Sequence, residues 1–546
     1  MSSRIVSRTE QVATGKLQRT LGLMDLTFLG LGAIIGSGWL FASQNAAVIA
    51  GPSAWIAWVI GAVAIMLIGL VYAELGGALP RAGGIIRYPD YSHGPMVGYL
   101  MGFAALIAYS SVAGIEAEAM RQYAQTWWPQ LASSASNSSQ PSVLGWFVQL
   151  ALLFLFFLLN YWSVEIFGKV NSFVTAIKFI VPLLTLVVLF TRFHGANFAS
   201  HGFAPGGFTG IESAVSTAGI IFAFLGFRQA VDFAGEAKNP SRTVPIAIVL
   251  AISLAAIMYV LLQLCFIGAV PVKALSGGWS AVNYSSPFAN LASALGLAWL
   301  ANLLFADAVL SPSGTGNIYL SSTSRVIFAW ARTGTFFRVF GRLRPGVTVP
   351  RPALILTFFL AVFWTLPFPT WGALVGVVSS ATVMTYIIGP ISLSALRRTD
   401  PELPRPFRLG GARVIAPIAF VVASLIIYWS GWKIDGWLIG VQLFMWLVYL
   451  VLHSINKNLF PDSVSFGQAV KSSVWLIVYF VVMLLISKFG STAFGGTGAL
   501  KTPLDQIIVI IISLVAYYWG VASALPKSNI TEEDVEDNSE LKLGTY

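Results

Sequence analysis

Runs of apolar residues, each long enough to cross a bilayer as a helix, recur along almost the whole sequence. A helix needs roughly twenty such residues to span the hydrocarbon core. Composition agrees, because 56% of the residues are hydrophobic and 10% are charged, against about 25% charged in a typical soluble domain. The sequence therefore predicts an all-α polytopic membrane protein with about fourteen transmembrane helices.

The basic residues lie mainly in alternate short loops between these apolar runs. Such a bias marks the cytoplasmic side of a membrane protein. It predicts that both termini are cytoplasmic and that the chain is a multi-pass protein of the cell membrane. It also explains the net charge of +10 without nucleic-acid binding. The spans are predicted near residues 24–49, 53–79, 95–125, 144–162, 165–191, 212–236, 243–270, 291–319, 351–368, 371–396, 412–431, 435–453, 469–488 and 504–524.

The connections between spans are too short to hold a soluble domain. We predict a cytoplasmic tail at 1–23, a ten-helix core at 24–396, four additional helices at 412–524 and an acidic cytoplasmic tail at 525–546. The polar segment 132–142 reads as a flexible surface loop. Cys265 is the only cysteine, so neither an internal disulfide nor a cysteine metal cage is possible.

The first apolar run contains a glycine-rich stretch, Gly30 to Ala42, with the sequence GLGAIIGSGWLFA. Glycine disfavours a continuous helix, and an unwound turn survives inside a membrane only where it faces a ligand, protein or water. The residues Ile35 to Gly38 are therefore a candidate binding site. The alternative is a close helix contact of the GxxxG type at Gly32 and Gly36.

A second interruption falls in the sixth predicted span. Gly226 and Arg228 lie inside its apolar run, and Asp232 and Glu236 follow Arg228 at helical spacing. Two broken spans five apart are typical of an inverted repeat that binds a substrate between the two breaks. We therefore predict a transporter core of two five-helix repeats, at about 24–191 and 212–396.

Four motifs in this order resemble the successive signatures of the amino acid–polyamine–organocation superfamily. The resemblance covers roughly residues 20–455 and leaves the last two spans unexplained. It implies a leucine-transporter-like fold, secondary active transport and alternating access. The motifs are Gly32 to Gly38 (GAIIGSG), Phe222 to Phe227 with Glu236 to Pro245 (FAFLGF, EAKNPSRTVP), Ser324 to Arg332 (SRVIFAWAR) and Arg397 to Arg408 (RRTDPELPRPFR).

An amino acid suits the chemistry of the two breaks. Free N–H groups at the start of the outer half of span one, around Ser37 and Gly38, present partial positive charge to a carboxylate. By resemblance, the carboxylate lies against Ile35, Gly36, Ser37 and Gly38, and the α-amino group meets the carbonyls of Phe222, Ala223 and Leu225. Phe224 or Phe227 is a candidate gate, with ordinary packing as the alternative.

Ionisable residues at membrane depth are functional candidates by default. Lys178 lies near the middle of span five. In proton-coupled members of the resembling family, a lysine at this place sits where sodium-coupled relatives bind a cation, which implies proton coupling. A permanently charged tether between helices is the alternative. Asp307 in span eight is a candidate partner of Lys178 or Arg228, and Glu116 in span three is a further candidate for proton coupling. Glu118 and Arg121 read as a helix-surface ion pair.

The residue at position 228 decides the predicted substrate. In members of the resembling family that carry cationic amino acids this position is typically acidic, whereas here it is Arg228. A guanidinium binds a side-chain carboxylate through two parallel hydrogen bonds, so we predict aspartate or glutamate as the substrate. The competing interpretation is that Asp232, Asp307 or Glu116 neutralises Arg228.

The overall prediction is a proton-coupled symporter for acidic amino acids whose partners are the amino acid, the proton and the lipid bilayer, with no cofactor or metal. A neutral amino acid or polyamine permease or exchanger is the first alternative. A non-transporting nutrient sensor and an intramembrane enzyme are less favoured. The sequence contains no GxxxxGK[ST] or HExxH motif and no evident set of paired catalytic groups.

Overall fold

A computed structural model describes residues 21–81, 83–134, 137–162, 164–343, 349–456 and 464–531. These residues are mostly helical. The first helices are α1 (Leu23–Ile34), α2 (Ser37–Ala50), α3 (Ala54–Ala78), α4 (Gly84–His93), α5 (Pro95–Ala124), α6 (Val143–Trp162), α7 (Val164–Phe190), α8 (Gly207–Thr217), α9 (Ile220–Ala223) and α10 (Gln229–Asp232). The others are α11 (Pro240–Ala269), α12 (Pro287–Ala294), α13 (Ala298–Arg332), α14 (Arg351–Trp364), α15 (Trp371–Tyr386), α16 (Ile388–Thr399), α17 (Ala412–Ser430), α18 (Trp432–Ile455), α19 (Phe466–Phe489) and α20 (Leu504–Ala522).

The length and hydropathy of these helices agree with a multi-pass membrane protein. Within the described ranges, nine helical segments are long and apolar enough to cross a bilayer. A tenth results if Gly207–Thr217 and Ile220–Asp232, bent by 43°, form one span. Shorter apolar helices lie at Leu23–Ile34, Ile177–Phe190 and Arg351–Trp364. The count of fourteen spans and the inverted repeat stay predictions.

The structure differs from the sequence prediction at the segment 132–142. Two short antiparallel strands, β1 (Ala132–Ser134) and β2 (Asn137–Pro141), pair here, with Ala132 opposite Pro141 and Ser134 opposite Asn137. The protein is therefore not strictly all-α, and this segment is not an irregular loop. Backbone pairing satisfies peptide groups whatever the side chains are, which explains why a polar segment without an apolar pattern escaped the prediction.

The eighth predicted span ends too early. Helix α13 runs on to Arg332, thirteen residues beyond the predicted end at residue 319. The added turns carry buried Ser and Thr residues that lower the local hydropathy. Ser322 and Thr323 hydrogen-bond to the carbonyl of Tyr319 in the preceding turn. Because these hydroxyls are satisfied inside the helix, polar residues continue it without facing solvent.

The two interrupted helices lie against each other in the centre of the molecule. Helix α1 ends at Ile34 and α2 begins at Ser37, while the bend between α8 and α9 lies at Gly219, which has a φ of 95°. A Cβ atom on Gly226 would lie 2.3 Å from the backbone nitrogen of Ile34 and 2.4 Å from the carbonyl carbon of Ala33. Only glycine permits this approach, so the second break packs directly on the first.

The predicted cytoplasmic ends of both interrupted helices are joined. The backbone of Leu21 forms a parallel bridge with Ala237, with Leu21 N donating to Glu236 O at 2.9 Å. The carboxylate of Glu236 also pairs with Arg325 of α13 at 3.2 Å. The arginine lies over the ring of Phe233, 4.6 Å from its centroid. These contacts connect the two interrupted helices and α13 on the predicted cytoplasmic side of the two breaks.

Candidate functional site

Side chains from other helices satisfy the backbone carbonyls that the first break leaves without helical partners. Lys178 Nζ of α7 donates to Gly32 O at 2.5 Å and to Thr315 Oγ1 at 2.8 Å. Thr315 in turn donates to the carbonyls of Gly32 at 3.0 Å and Ile35 at 3.2 Å. Lys178 thus lies between the first break and α13, where an ammonium group replaces lost backbone hydrogen bonds.

Two further hydroxyls hold the same break. Tyr259 of α11 donates to Ile34 O at 3.0 Å, and Ser311 of α13 donates to Ile35 O at 3.2 Å. Residue Ile35 is itself completely buried. Protein groups therefore hydrogen-bond to the carbonyls of Gly32, Ile34 and Ile35 at the first break.

The N–H side of the first break meets an acid. The first N–H groups of α2 have no acceptor within the helix, and Ser37 N donates to Glu116 Oε2 of α5 at 2.9 Å. The other oxygen, Glu116 Oε1, is buried and has no hydrogen-bond partner in the part of the chain that the structure describes. Trp371 Nε1 donates to Ser37 Oγ at 2.7 Å. A carboxylate is therefore already seated where the sequence predicted the carboxylate of a ligand.

The second break contributes backbone on the opposite side. A Cβ atom on Gly38 would lie 3.0 Å from both Cα and Cβ of Ala223 and 3.3 Å from Phe222 Cδ1. The carbonyl of Leu225 accepts from Tyr386 OH at 3.4 Å. The structure thus brings the predicted residues of both breaks together, with α2 touching α9 at Gly38. All of these residues are buried, so the site lies inside the protein.

The two predicted gate aromatics pack at different places. Phe224 contacts Trp58 and Tyr259, with ring centroids 5.8 and 5.5 Å apart, and Phe227 contacts Tyr386 at 5.4 Å. A gating role for Phe224 or Phe227 stays a prediction.

A different set of rings covers the predicted outer side of the breaks. Trp371 stacks on Phe41 at 4.8 Å and meets Phe222 edge-on at 5.9 Å. Sequence reasoning missed Trp371, because nothing near it in the chain links it to Ser37.

Arg228 lies in a cage of hydroxyls and aromatic rings. Its Nε donates to Tyr109 OH at 2.8 Å, its Nη2 also donates to Tyr109 OH, and its Nη1 donates to Thr385 Oγ1 at 2.7 Å. The guanidinium lies 4.6 Å from the ring centroid of Tyr109 and 4.7 Å from that of Tyr386. Tyr109 OH donates to Asp232 Oδ2 at 2.8 Å. The hydrogen-bonded connection between Asp232 and Arg228 therefore runs through this hydroxyl, and the two residues also interact electrostatically.

The remaining predicted ionisable residues are buried but not paired as expected. Both oxygens of Asp307 lack a hydrogen-bond partner within the described part of the chain. The hydrogen bonds of Lys178 and Arg228 go elsewhere, so neither is hydrogen-bonded to Asp307, although Lys178 interacts with Asp307 electrostatically. Glu118 and Arg121 are both fully buried. The predicted surface position of these two residues is therefore wrong, although the two interact electrostatically as the sequence suggested.

Comparison with known proteins gives one family. A family model described as amino acid permease matches residues 21–484. The aspartate-proton symporter of Bacillus subtilis (strain 168) is 49% identical over 519 residues, which are 94% of this chain and 98% of the relative. The glutamate/serine transporter AimA of the same organism is 41% identical over 534 residues, 97% of this chain and 98% of the relative. The branched-chain amino acid permease BcaP, also from this organism, is 26% identical over 464 residues, 80% of this chain and 94% of the relative.

Proposed function

Since the chain belongs to the amino acid permease family, we propose that it is a proton-coupled symporter of aspartate or glutamate. Membership of this family makes it a transporter and not an enzyme. The relatives named for aspartate–proton symport and for glutamate and serine transport both align with almost the whole chain. The observation that supports the acidic substrate is Arg228, a buried guanidinium three residues after Leu225, whose hydrogen bonds go to hydroxyl groups.

The proposed binding mode uses all three charges of an acidic amino acid. The α-carboxylate takes the N–H groups at the start of α2, at Ser37 and Gly38, with Ile35 and Gly36 forming the turn before them. The α-amino group meets the carbonyls of the second break. The side-chain carboxylate reaches Arg228, whose planar fork suits a carboxylate. The carbonyls are those of Phe222, Ala223 and Leu225, with Phe224 beside them.

Three buried ionisable residues are proposed to couple the proton, namely Lys178, Asp307 and Glu116. The bond from Lys178 Nζ to Gly32 O, at 2.5 Å, ties the first break to α7. An ammonium at this position removes the need for a bound cation, and loss of its proton would weaken the tie. The same proposal includes the leucine-transporter-like repeat, fourteen spans, alternating access, a cell-membrane location and cytoplasmic termini.

A competition assay in proteoliposomes tests the substrate. Labelled aspartate is taken up under an inward proton gradient while unlabelled glutamate, serine, leucine, alanine and putrescine compete. We expect glutamate to compete strongly and leucine, alanine and putrescine to compete poorly. Serine belongs in the panel because of the glutamate/serine relative. If leucine competed as strongly as glutamate, Arg228 would have a structural role and would not select the substrate. Binding of aspartate without its accumulation in the proteoliposomes would favour a sensor.

Coupling is tested by Lys178→Ala. Without the ammonium at the first break, an inward proton gradient should no longer accelerate aspartate uptake, although some substrate binding should remain. For the unmodified protein, uptake should be the same with and without sodium. An obligatory sodium requirement would contradict the proposal, because Lys178 already occupies the predicted cation position.

A further inference from the structure

Asp307 of α13 is a buried acid that the binding mode does not use. Its side chain is completely buried, and both carboxylate oxygens lack a hydrogen-bond partner in the described ranges. Burying a carboxylate without partners is unfavourable by several kcal/mol, so such groups in membrane proteins mark proton or ion pathways. Packing alone does not explain an aspartate here.

A polar face of α13 connects Asp307 with Lys178. Asp307, Ser311 and Thr315 are spaced by four residues, so they lie above one another on one face of the helix. Ser311 Oγ hydrogen-bonds to Ile35 O at 3.2 Å, and Thr315 Oγ1 accepts from Lys178 Nζ at 2.8 Å. The eight residues from Asp307 to Thr315 span about 12 Å of helix. Two hydroxyls therefore lie between the unpaired acid and the lysine of the first break.

Titratable groups of two other helices face Asp307. Lys178 of α7 interacts with it electrostatically, and so does Tyr123 of α5. Glu116, also on α5, faces Lys178 at the far end of the polar face. Tyr123 OH donates to Leu40 O at 3.3 Å. Of these groups, Asp307 is the acid nearest the predicted outer side.

An aromatic layer lies near Asp307 on that side, because Phe305 precedes it by two residues in α13 and Tyr123 interacts with it electrostatically. Phe305 packs on Tyr123 at 6.1 Å and on Trp127 at 4.9 Å. Trp127 is 47% exposed, so this layer reaches the surface of the protein. A proton that enters from the outer side beside these rings would meet Asp307 before it meets Lys178.

We propose that Asp307 is the outer proton acceptor and that it passes the coupling proton to Lys178 through Ser311 and Thr315. The inference rests on the proposed proton symport. The Asp307 carboxylate takes one proton from the outer side. Because no hydrogen bond joins Asp307 to Ser311, or Ser311 to Thr315, among the described residues, the proposed path includes water molecules that bridge these gaps. Each water and each hydroxyl accepts one proton and releases its own, and the neutral amine of Lys178 takes the last one to become an ammonium that holds Gly32 O. The relay moves one proton and leaves both hydroxyls unchanged.

The test measures aspartate-driven proton influx into proteoliposomes that contain a pH-sensitive dye. Asp307→Asn keeps the shape but cannot carry the proton, so we expect influx to slow by about a hundredfold or more, as for the loss of a proton-transfer group. Aspartate binding at a fixed pH should change much less. Asp307→Glu, which restores a carboxyl group, should recover influx. Ser311→Ala, which removes one hydroxyl, should also slow it.

Asp435→Asn is the matched control. This aspartate of α18 is also buried with an oxygen that lacks a hydrogen-bond partner among the described residues, but it bonds to Ser487 of α19 instead. Normal influx in Asp307→Asn would overturn the relay. The relay would also be overturned if Asp435→Asn slowed influx as much as Asp307→Asn, because the loss of any buried acid would then slow influx. Absence of aspartate-driven influx in the unmodified protein would instead overturn proton symport itself.

Discussion

At the scale of single residues, Arg228 carries the proposed selectivity for acidic substrates. Lysine keeps the charge but loses the planar fork and the stacking on Tyr109 and Tyr386. Hydrogen bonds to charged groups are worth about 1.5–3 kcal/mol, so Arg228→Lys should raise the KM for aspartate by about tenfold or more. Saturation uptake of labelled aspartate measures this. Arg242→Lys at an exposed position is the control, and an unchanged KM in Arg228→Lys would contradict a direct role.

Glu116 occupies the N–H group that the substrate carboxylate is proposed to use. An ionised Glu116 should compete with the substrate for Ser37 N, whereas a protonated one should release it. Aspartate binding to the unmodified protein should therefore strengthen as pH falls. In Glu116→Gln, which lacks the charge, binding should be nearly independent of pH.

Equilibrium binding of labelled aspartate across a pH series measures this difference. Glu118→Gln is the control, because residue 118 projects from a different side of α5 than residue 116. A pH profile of Glu116→Gln that matches the unmodified protein would show that the two carboxylates do not compete.

At the scale of elements, the contact between the two breaks depends on Gly226. An added Cβ would meet backbone atoms of Ala33 and Ile34, and backbone yields less than a side chain. Overpacking costs typically about 1–3 kcal/mol, so Gly226→Ala should lower the thermal stability of the purified protein and strongly reduce uptake. Gly440→Ala in α18 is the matched control, because a Cβ there meets nothing within 4 Å. Equal stability of both variants would contradict the contact.

At the scale of the whole molecule, the last helix joins distant parts of the chain. Gln506 Nε2 at the start of α20 donates to Glu212 Oε2 of α8 at 2.8 Å. At the other end, His93 of α4 forms a hydrogen bond with Gly520 O at 2.9 Å, and Leu525 N donates to Ser92 O at 2.9 Å. Helix α20 therefore connects α8, the predicted outer half of the second interrupted helix, with α4.

Loss of the contact between α20 and α8 should make α8 more mobile. In Gln506→Ala the buried Glu212 loses its partner, and an unsatisfied buried group costs about 1–3 kcal/mol. We expect a lower melting temperature and an altered rate of aspartate counterflow. Gln468→Ala, near the start of α19, serves as the matched control. Unchanged melting and counterflow in Gln506→Ala would show that α20 does not restrain α8.

Much of the fold class follows from local sequence patterns. Apolar runs identify a membrane protein because hydrocarbon excludes unsatisfied peptide groups. The glycines of both breaks, and the motifs that contain them, identified the interrupted helices and the family. Helix α4, the β1–β2 hairpin and the extension of α13 to Arg332 were not predicted. Their signals are weak in hydropathy, since buried polar groups and backbone pairing stabilise them.

The arrangement of the site was decided by contacts between residues far apart in the chain. The sequence identified Lys178, Glu116, Asp307 and Arg228 as candidates because ionisable groups are rare at membrane depth. The sequence could not show which atoms these side chains contact, because Glu116 lies 79 residues from Ser37 and Tyr109 lies 119 residues from Arg228. Hydropathy and helical spacing describe only neighbours along one helix. Only the packing of helices against each other decides which distant groups share hydrogen bonds.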